Sequence, residues 1–203
     1  MDTRDKWKEG EVPFLSSQRR GDKGGMRRVM QFAKDSFFLT LQERLGGLNP
    51  ARTVVVNGAT VPAVVVAENL PPTSGEPFPN AFYIEWGAAS VMDGHAGSGA
   101  LMGAECVISY YTLGSVESMV DRGRVLGELD AELLGICQPT NTEKRDYTQA
   151  PSVDLGTRVF WTQPVFEEKQ KIATVDQAER HPDGRVERRV RLTVFFFAEV
   201  TLS

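Results

Sequence analysis

Two histidines and two cysteines are the side chains in this sequence best suited to binding a transition metal. A zinc site needs about three or four Cys, His or carboxylate ligands. His95 and His181 have no ligand partner at a familiar spacing, and Cys106 and Cys137 form no CxxC pair. Both cysteines lie in apolar surroundings, AECVI and LLGICQP, which favours buried free thiols. The sequence therefore predicts no metal site and no cofactor.

A glycine-rich segment, GHAGSG from Gly94 to Gly99, has a composition that could suit a phosphate-binding loop. A phosphate cradle needs a strand before it and a helix after it, because backbone amides and the helix dipole must converge on the anion. Here the following pattern predicts a strand, and no Gly-Lys-Ser/Thr occurs. His95 would serve as a base only if a nucleophile approached it, and His181 is predicted to be a solvated turn residue. We therefore interpret the segment as a flexible loop.

Carboxylates could perform acid–base catalysis if two of them lay close together with shifted pKa values. Most of them alternate with apolar residues, which is the pattern of a solvated face. We therefore predict no catalytic residue and no enzymatic activity. The carboxylates considered are Glu85, Glu105, Glu128, Asp130 and Asp154.

Aromatic residues leave open the alternative of a small-ligand-binding or enzymatic domain. On strands such residues are mostly core or interface, yet an aromatic-lined pocket suits a small ligand. The residues in question are Tyr83, Trp86, Tyr110, Tyr111 and Trp161.

Arginines cluster near the C-terminus, at Arg185, Arg188, Arg189 and Arg191. One interpretation is a solvated strand face. Another is a contact between subunits, because arginine makes forked pairs with carboxylates. A nucleic-acid groove is less favoured, since no aromatic stacking platform interleaves with these arginines. Together with charges on a predicted helix, they give the predicted interface residues: Asp121, Arg124, Glu128, Arg188, Arg189 and Arg191.

Two helices are predicted from apolar residues at spacings of three and four. The first begins near Arg27 and ends at Gly46-Gly47 and Pro50. Its apolar stripe is Met30, Ala33, Phe37, Leu41 and Leu45. The second follows Gly114, with Ser115 as N-cap, and ends before Pro139. Its apolar stripe is Val116, Met119, Leu126, Leu129, Leu133 and Ile136, and its charged side is Asp121, Arg124, Glu128 and Glu132.

Six or seven strands are predicted, mostly linked by hairpins. Asn57-Gly58 lies between two β-branched runs and is suited to a tight turn, and Pro62 predicts an edge or irregular strand. Further strands are predicted at AFYIEWGA, ECVISYYT, LGTRVFWTQPVF and a last hairpin around HPDG. The final strand should become buried on both faces near its end. The residues predicted to share one of its faces are Val186, Val190, Leu192, Val194, Phe196, Ala198 and Val200. The segment TNTEKRDYTQAPSVD is interpreted as a long polar connection.

These elements predict an α+β fold, in which an antiparallel-rich mixed sheet carries two main helices packed on one face. Residues 1–25 are predicted to be a flexible or partner-ordered N-terminal arm. Residues 26–203 are predicted to be a single domain with a long polar insertion near 138–170.

The composition is that of an ordinary globular protein. The chain has 203 residues, with 41% hydrophobic and 25% charged residues, a net charge of −4 and a pI near 5.3. This acidic balance gives no reason to expect a protein that coats nucleic acid. The charged beginning, MDTRDKWKEGEVPFL, has no apolar core of a signal peptide, and the longest apolar run is too short for a bilayer. We expect a soluble protein made in the cytoplasm, without a membrane partner.

The predicted elements begin with a helix, a hairpin and a strand. The segment CVISYYTLGS follows, then a long helix carrying DRGRVLGELDAELL, and finally a closing strand. In this order and in its length, the chain resembles the tail-terminator, or tail-completion, proteins of long-tailed bacteriophages and related contractile particles. The resemblance concerns the topology of roughly residues 26 to 200, since no short motif can be matched residue by residue.

The resemblance implies a small α/β subunit that forms a ring, by family likeness a hexamer, at the head-proximal end of the tail tube. The implied partners are other copies of the chain and the tail tube protein, with sheath and neck connector proteins as further candidates. DNA would pass through the lumen without specific binding. The implied location is the virion tail or neck, after assembly in the host cytoplasm. The principal alternative is another neck, tube or baseplate component of a phage or injection particle.

Overall fold

A computed structural model of the chain describes residues 25–70, 78–92, 99–113, 119–167 and 185–198. The side chains of residues 25–29, 69, 119–122 and 185–186 are outside the description. In these ranges two α-helices and nine strands form an α+β fold, which confirms the predicted class. The elements are α1 (Gly25–Leu48), β1 (Thr53–Val56), β2 (Ala59–Pro62), β3 (Val64–Val66), a short 3-10 turn (Ala67–Asn69), β4 (Phe82–Val91), β5 (Leu101–Leu113), α2 (Met119–Ile136), β6 (Asn141–Asp146), β7 (Val153–Trp161), β8 (Val165–Glu167) and β9 (Arg185–Phe197).

A sheet of seven strands organises the fold, in the order β3-β4-β5-β9-β7-β6, with β8 also paired to β9. Only the β3–β4 pair is parallel, so the sheet is mixed but mostly antiparallel. The central strand β9 pairs with β5 along its whole length. Strands β1 and β2 form a separate two-stranded sheet.

Both helices pack on the same face of the sheet, which we call the inner face. From α1, Phe37 contacts Trp86 and Trp161 edge to face, with ring centroids 5.7 Å and 5.1 Å away. From α2, Asp130 accepts a hydrogen bond from the hydroxyl of Tyr110 on β5. The predicted apolar stripes enter this core wherever their side chains are described. The buried members are Ala33, Phe37, Leu41 and Leu45 on α1, and Leu126, Leu129, Leu133 and Ile136 on α2.

The turn between β1 and β2 has the predicted geometry. Asn57 and Gly58 have φ angles of 51° and 80°, the positive values that a two-residue hairpin turn of this kind requires. The β-branched run that follows does not continue as one strand. It divides at Ala63, after which Val64–Val66 join the main sheet beside β4.

The expected polar connection at 140–154 is wrong, because it contains strand β6, which forms a hairpin with β7, the strand predicted at LGTRVFWTQPVF. This hairpin escapes hydropathy patterns because β6, NTEKRD, has no apolar residue. Its Lys144 is nevertheless fully buried, and the Lys144 Nζ donates to the Phe197 carbonyl over 2.8 Å.

Helix α1 covers β6, the strand at one border of the sheet. The Ser36 hydroxyl accepts a hydrogen bond from the backbone N–H of Arg145 over 3.0 Å, and the hydroxyls of Thr40 and Thr142 are 3.1 Å apart. A covering helix prevents such a border strand from pairing with another chain.

Two smaller expectations also differ from the structure. Helix α1 continues through Gly46-Gly47 to Leu48. The end of β9 is not buried on both faces, because Phe197 is 40% exposed. The N-terminal arm, His95, Ser115 and the HPDG turn lie outside the described residues.

Candidate assembly surfaces

The sheet face opposite the helices, which we call the outer face, is not covered by either described helix. Antiparallel sheets commonly have one such face in contact with water. The buried side chains of Val190 and Leu192 point to the inner face. The strand register places the side chains of Glu105, Glu167, Arg189 and Arg191 on the outer face.

A row of charges crosses three neighbouring strands of the outer face. Arg191 on β9 donates to Glu105 on β5 over 3.1 Å and also pairs with Glu167 on β8. The Glu105 side chain lies directly above Gly87, where an added Cβ would come within 2.9 Å of it. The Arg191 side chain remains 57% exposed. Exposed pairs of this kind add little stability to a fold.

A shallow depression of about 280 Å³ lies beside the row. Tyr83 and Tyr111 contribute to its walls, and Arg189, which donates to Glu187 over 3.2 Å, lies at its border. Three of the five aromatics considered as a ligand site, Tyr83, Tyr110 and Tyr111, therefore line this depression. Trp86 and Trp161 instead pack around Phe37 on the inner face, so the five aromatics do not line one pocket.

Apolar side chains accompany these charges at the far end of β9. Phe160 and Phe195 stack with ring centroids 5.3 Å apart, and Phe197 follows at the strand end. Met92 folds over Gly103, where its Sδ would be 3.0 Å from an added Cβ. Met92 is 55% exposed. The outer face thus combines both signs of charge with accessible apolar surface.

Arg188 is separated from the other arginines of the predicted cluster. Because side chains alternate along a strand, Arg188 faces α2 while Arg189 and Arg191 face outward. Its Nε is 3.4 Å from the Asp130 carboxylate, which also accepts from Tyr110 over 2.5 Å. Burial, followed by the hydrogen bond to Asp130, raises the pKa of Tyr110. Arg188 therefore belongs to a cluster between the sheet and α2.

The charged side of α2 is exposed at Arg124 and Glu128, while the side chain of Asp121 is outside the description. Glu132, expected on the same solvated side, is instead bound to other elements. It pairs with Arg52 after α1 and accepts from Asn49 over 2.7 Å. The side chains of Arg52 and Glu132 are only 15% and 14% exposed.

A second groove, of about 670 Å³, lies between the C-terminal ends of α1 and α2. Arg44 fills part of it, because its guanidinium donates to the carbonyls of Ile136 and Gln138 and lies 5.2 Å from the Trp161 ring. These bonds satisfy carbonyl groups that the end of α2 leaves without a helical partner. We interpret the Arg44 contacts as structural.

Cys106 and Cys137 are buried free thiols, as predicted. Burial raises the pKa of Cys106 well above its usual value, and it raises the pKa of Cys137 to about 12. Thiols in this state are poor nucleophiles. Within the described ranges no group of three or more His, Cys, Asp or Glu residues is arranged to hold a metal ion.

Neither helix, over its described residues, combines the length and hydropathy needed to cross a bilayer.

No protein-family model matches the sequence, and a comparison with curated proteins found no match. Among solved structures, the chain is similar to one described as "Virion of native gene transfer agent (GTA) particle". The identity is 18% and the TM-score 0.29, and the alignment covers 79% of this chain and 95% of that chain. Because this TM-score is below 0.5, we base the functional proposal on the chain's own surfaces.

Proposed function

We propose that this chain is a structural virion protein of the tail-terminator type, whose copies form a ring at the head-proximal end of a tail tube. The observation that carries the proposal is the outer face of the sheet, which neither described helix covers, with its charge row of Glu105, Arg191 and Glu167 beside accessible apolar side chains. Interfaces combine apolar contact with paired charges at their rim in this way.

The chemistry of the described titratable groups also supports an assembly role. The two thiols have raised pKa values, and burial also raises the pKa of Tyr110. Shifts in these directions keep the groups protonated near neutral pH, whereas a catalytic nucleophile or base needs a pKa near the working pH. The proposal also draws on the resemblance of the predicted order of helices and strands to that of tail-terminator proteins.

Mass measurement and negative-stain imaging of the purified full chain test this proposal. We expect a closed ring with a central channel, and we expect added tail tube protein to bind it at one end. A strictly monomeric chain that does not join tube subunits would contradict the proposal. Labelling the protein in its native particle distinguishes a terminator from a neck, tube or baseplate component.

A further inference from the structure

Strand β1 has an intact free edge. Its two-residue turn makes Val56 and Ala59 a hydrogen-bonded pair, and such pairs alternate along antiparallel strands. The bond from the Ala63 N–H to the Arg52 carbonyl agrees with this alternation. Thr53 and Val55 therefore direct their N–H and C=O groups away from β2. No described residue pairs with them, and Val55 is 57% exposed.

The opposite edge of the same hairpin is interrupted. By the same alternation, Thr60 and Pro62 are the residues of β2 that face away from β1. Pro62 has no N–H, so the β2 edge lacks one of its donors. Of the two edges of this small sheet, only the β1 edge presents a complete set of main-chain groups.

Strand β4 has a second free edge, on the main sheet. Strand β3 pairs only with Phe82–Ile84, so the rest of β4 has no described neighbour on that side. The Met92 N–H donates to the Leu101 carbonyl over 2.8 Å, which places the main-chain groups of Ala89 and Val91 away from β5. Val91 is 57% exposed.

The two free edges are complementary. Each edge presents the N–H and C=O groups of two residues that have one residue between them. These residues are Thr53 and Val55 on β1, and Ala89 and Val91 on β4. Each edge also carries an exposed valine, so pairing would satisfy main-chain groups and bury apolar surface together.

We propose that β1 of one copy adds to the β4 edge of the next copy, forming an intermolecular sheet. This inference rests on the proposed ring and specifies its contact between subunits. A contact that joins two different edges is heterologous, and its repetition closes a ring when the rotation between neighbouring copies divides a full turn. Pairing of β4 with a second β4 would instead be isologous and would stop at a dimer. The β1–β4 contact uses both of the edges described above in every subunit of the ring.

Proline substitutions test the contact. Val55→Pro removes a donor from the β1 edge without removing a hydrogen bond within the hairpin. We expect it to weaken ring formation by roughly tenfold or more, because the contact loses a main-chain hydrogen bond and proline also prevents close approach of the strands. Val91→Pro should have the same effect from the β4 side.

Thr60→Pro is the matched control. It places proline in the same hairpin, at a residue whose N–H also faces away from its partner strand, but on the β2 edge already interrupted by Pro62. This variant should form rings like the unaltered chain. Thermal melting of all the variants as monomers, at low concentration, checks that the fold is retained.

Cross-linking provides a measurement that does not depend on ring stability. Val55→Cys and Val91→Cys are co-expressed with distinguishable tags and treated with a short bismaleimide, to which the buried Cys106 and Cys137 are inaccessible. We expect the two variants to cross-link to each other, and we expect neither to cross-link to itself. A chain carrying both substitutions should give a ladder of products that ends at the ring size.

The outcomes separate this contact from the ring itself. Rings that persist in Val55→Pro and Val91→Pro, or Val91→Cys linking to itself, would overturn the β1–β4 contact while leaving the ring proposal in place. A monomeric unaltered chain would overturn both.

Discussion

Lys144 has a charged side chain that is fully enclosed, in the most polar strand of the sheet. Its aliphatic stem fills space on the inner face, and its ammonium group donates to the end of β9 at Phe197. Long basic side chains commonly contribute packing as well as charge. The burial of Lys144 depends on contacts with other elements of the fold, and the hydropathy of the sequence does not predict such contacts.

Lys144→Ala should destabilise the fold by about 2–4 kcal/mol, because it removes the stem and leaves the Phe197 carbonyl without this donor. Lys144→Met retains most of the stem and should cost clearly less. Urea unfolding of both variants measures the difference. Equal losses would show that the stem contributes no packing.

The thiols of Cys106 and Cys137 should remain unreactive in the folded protein. Since burial raises both pKa values, and that of Cys137 to about 12, both groups stay protonated at about pH 8. Titration with a chromogenic thiol reagent should detect no free thiol until denaturant is added. A fast reaction of the native chain would contradict this assignment.

At the scale of elements, Glu132 connects α2 to the loop between α1 and β1. Its carboxylate binds Arg52 before β1 and Asn49 after α1, and thereby holds both to α2. The charged helical pattern alone predicted a solvated Glu132, because a helix sequence does not reveal which neighbours lie along its sides.

Glu132→Gln should lower the free energy of unfolding by roughly 1–3 kcal/mol, because it leaves the mostly buried Arg52 side chain without its charged partner. Glu128→Gln, one turn earlier on the same helix and exposed, is the control and should stay within about 0.5 kcal/mol. Chemical denaturation measures both. Indistinguishable variants would remove Glu132 from this role.

The helices were more predictable from the sequence than the sheet. The stripe through Phe37 and Leu41 follows helical periodicity, and Asn57-Gly58 specifies its own turn. Strand β6 was missed because its residues are polar, and its strand character depends on pairing with β7 and on Ser36 of α1. The separation of Arg188 from Arg189 and Arg191 follows from strand alternation, whereas the ion pairs of Arg191 depend on a register that one sequence does not reveal.

At the scale of the whole molecule, the two predicted charged surfaces point in different directions. Arg189 and Arg191 lie on the outer sheet face, and Arg124 and Glu128 lie on α2. The candidate interface is thus two separate surfaces, which can contact different neighbours in an assembly.

Charge reversal distinguishes these surfaces. Arg191→Glu should weaken assembly, because it reverses the central charge of the row that the proposed partner would contact. Glu128→Lys applies the reverse change to α2. The ring population is measured by light-scattering mass, with thermal melting as the check on folding. Unchanged assembly in either variant would show that its surface is not part of the interface. The effect of either charge reversal should decrease at about 1 M salt, where the Debye length is about 3 Å.

Ser36 on α1 has a consequence for how copies of this chain can be arranged. By occupying the Arg145 N–H, it closes one border of the main sheet, while the opposite border at β4 remains unpaired among the described residues. A row of subunits joined by the proposed contact between β1 and β4 is therefore directional, because one end of the row presents β1 and the other end presents β4. Subunits can therefore bind and dissociate at different rates at the two ends of an open row. This difference disappears when the two ends pair and the ring closes.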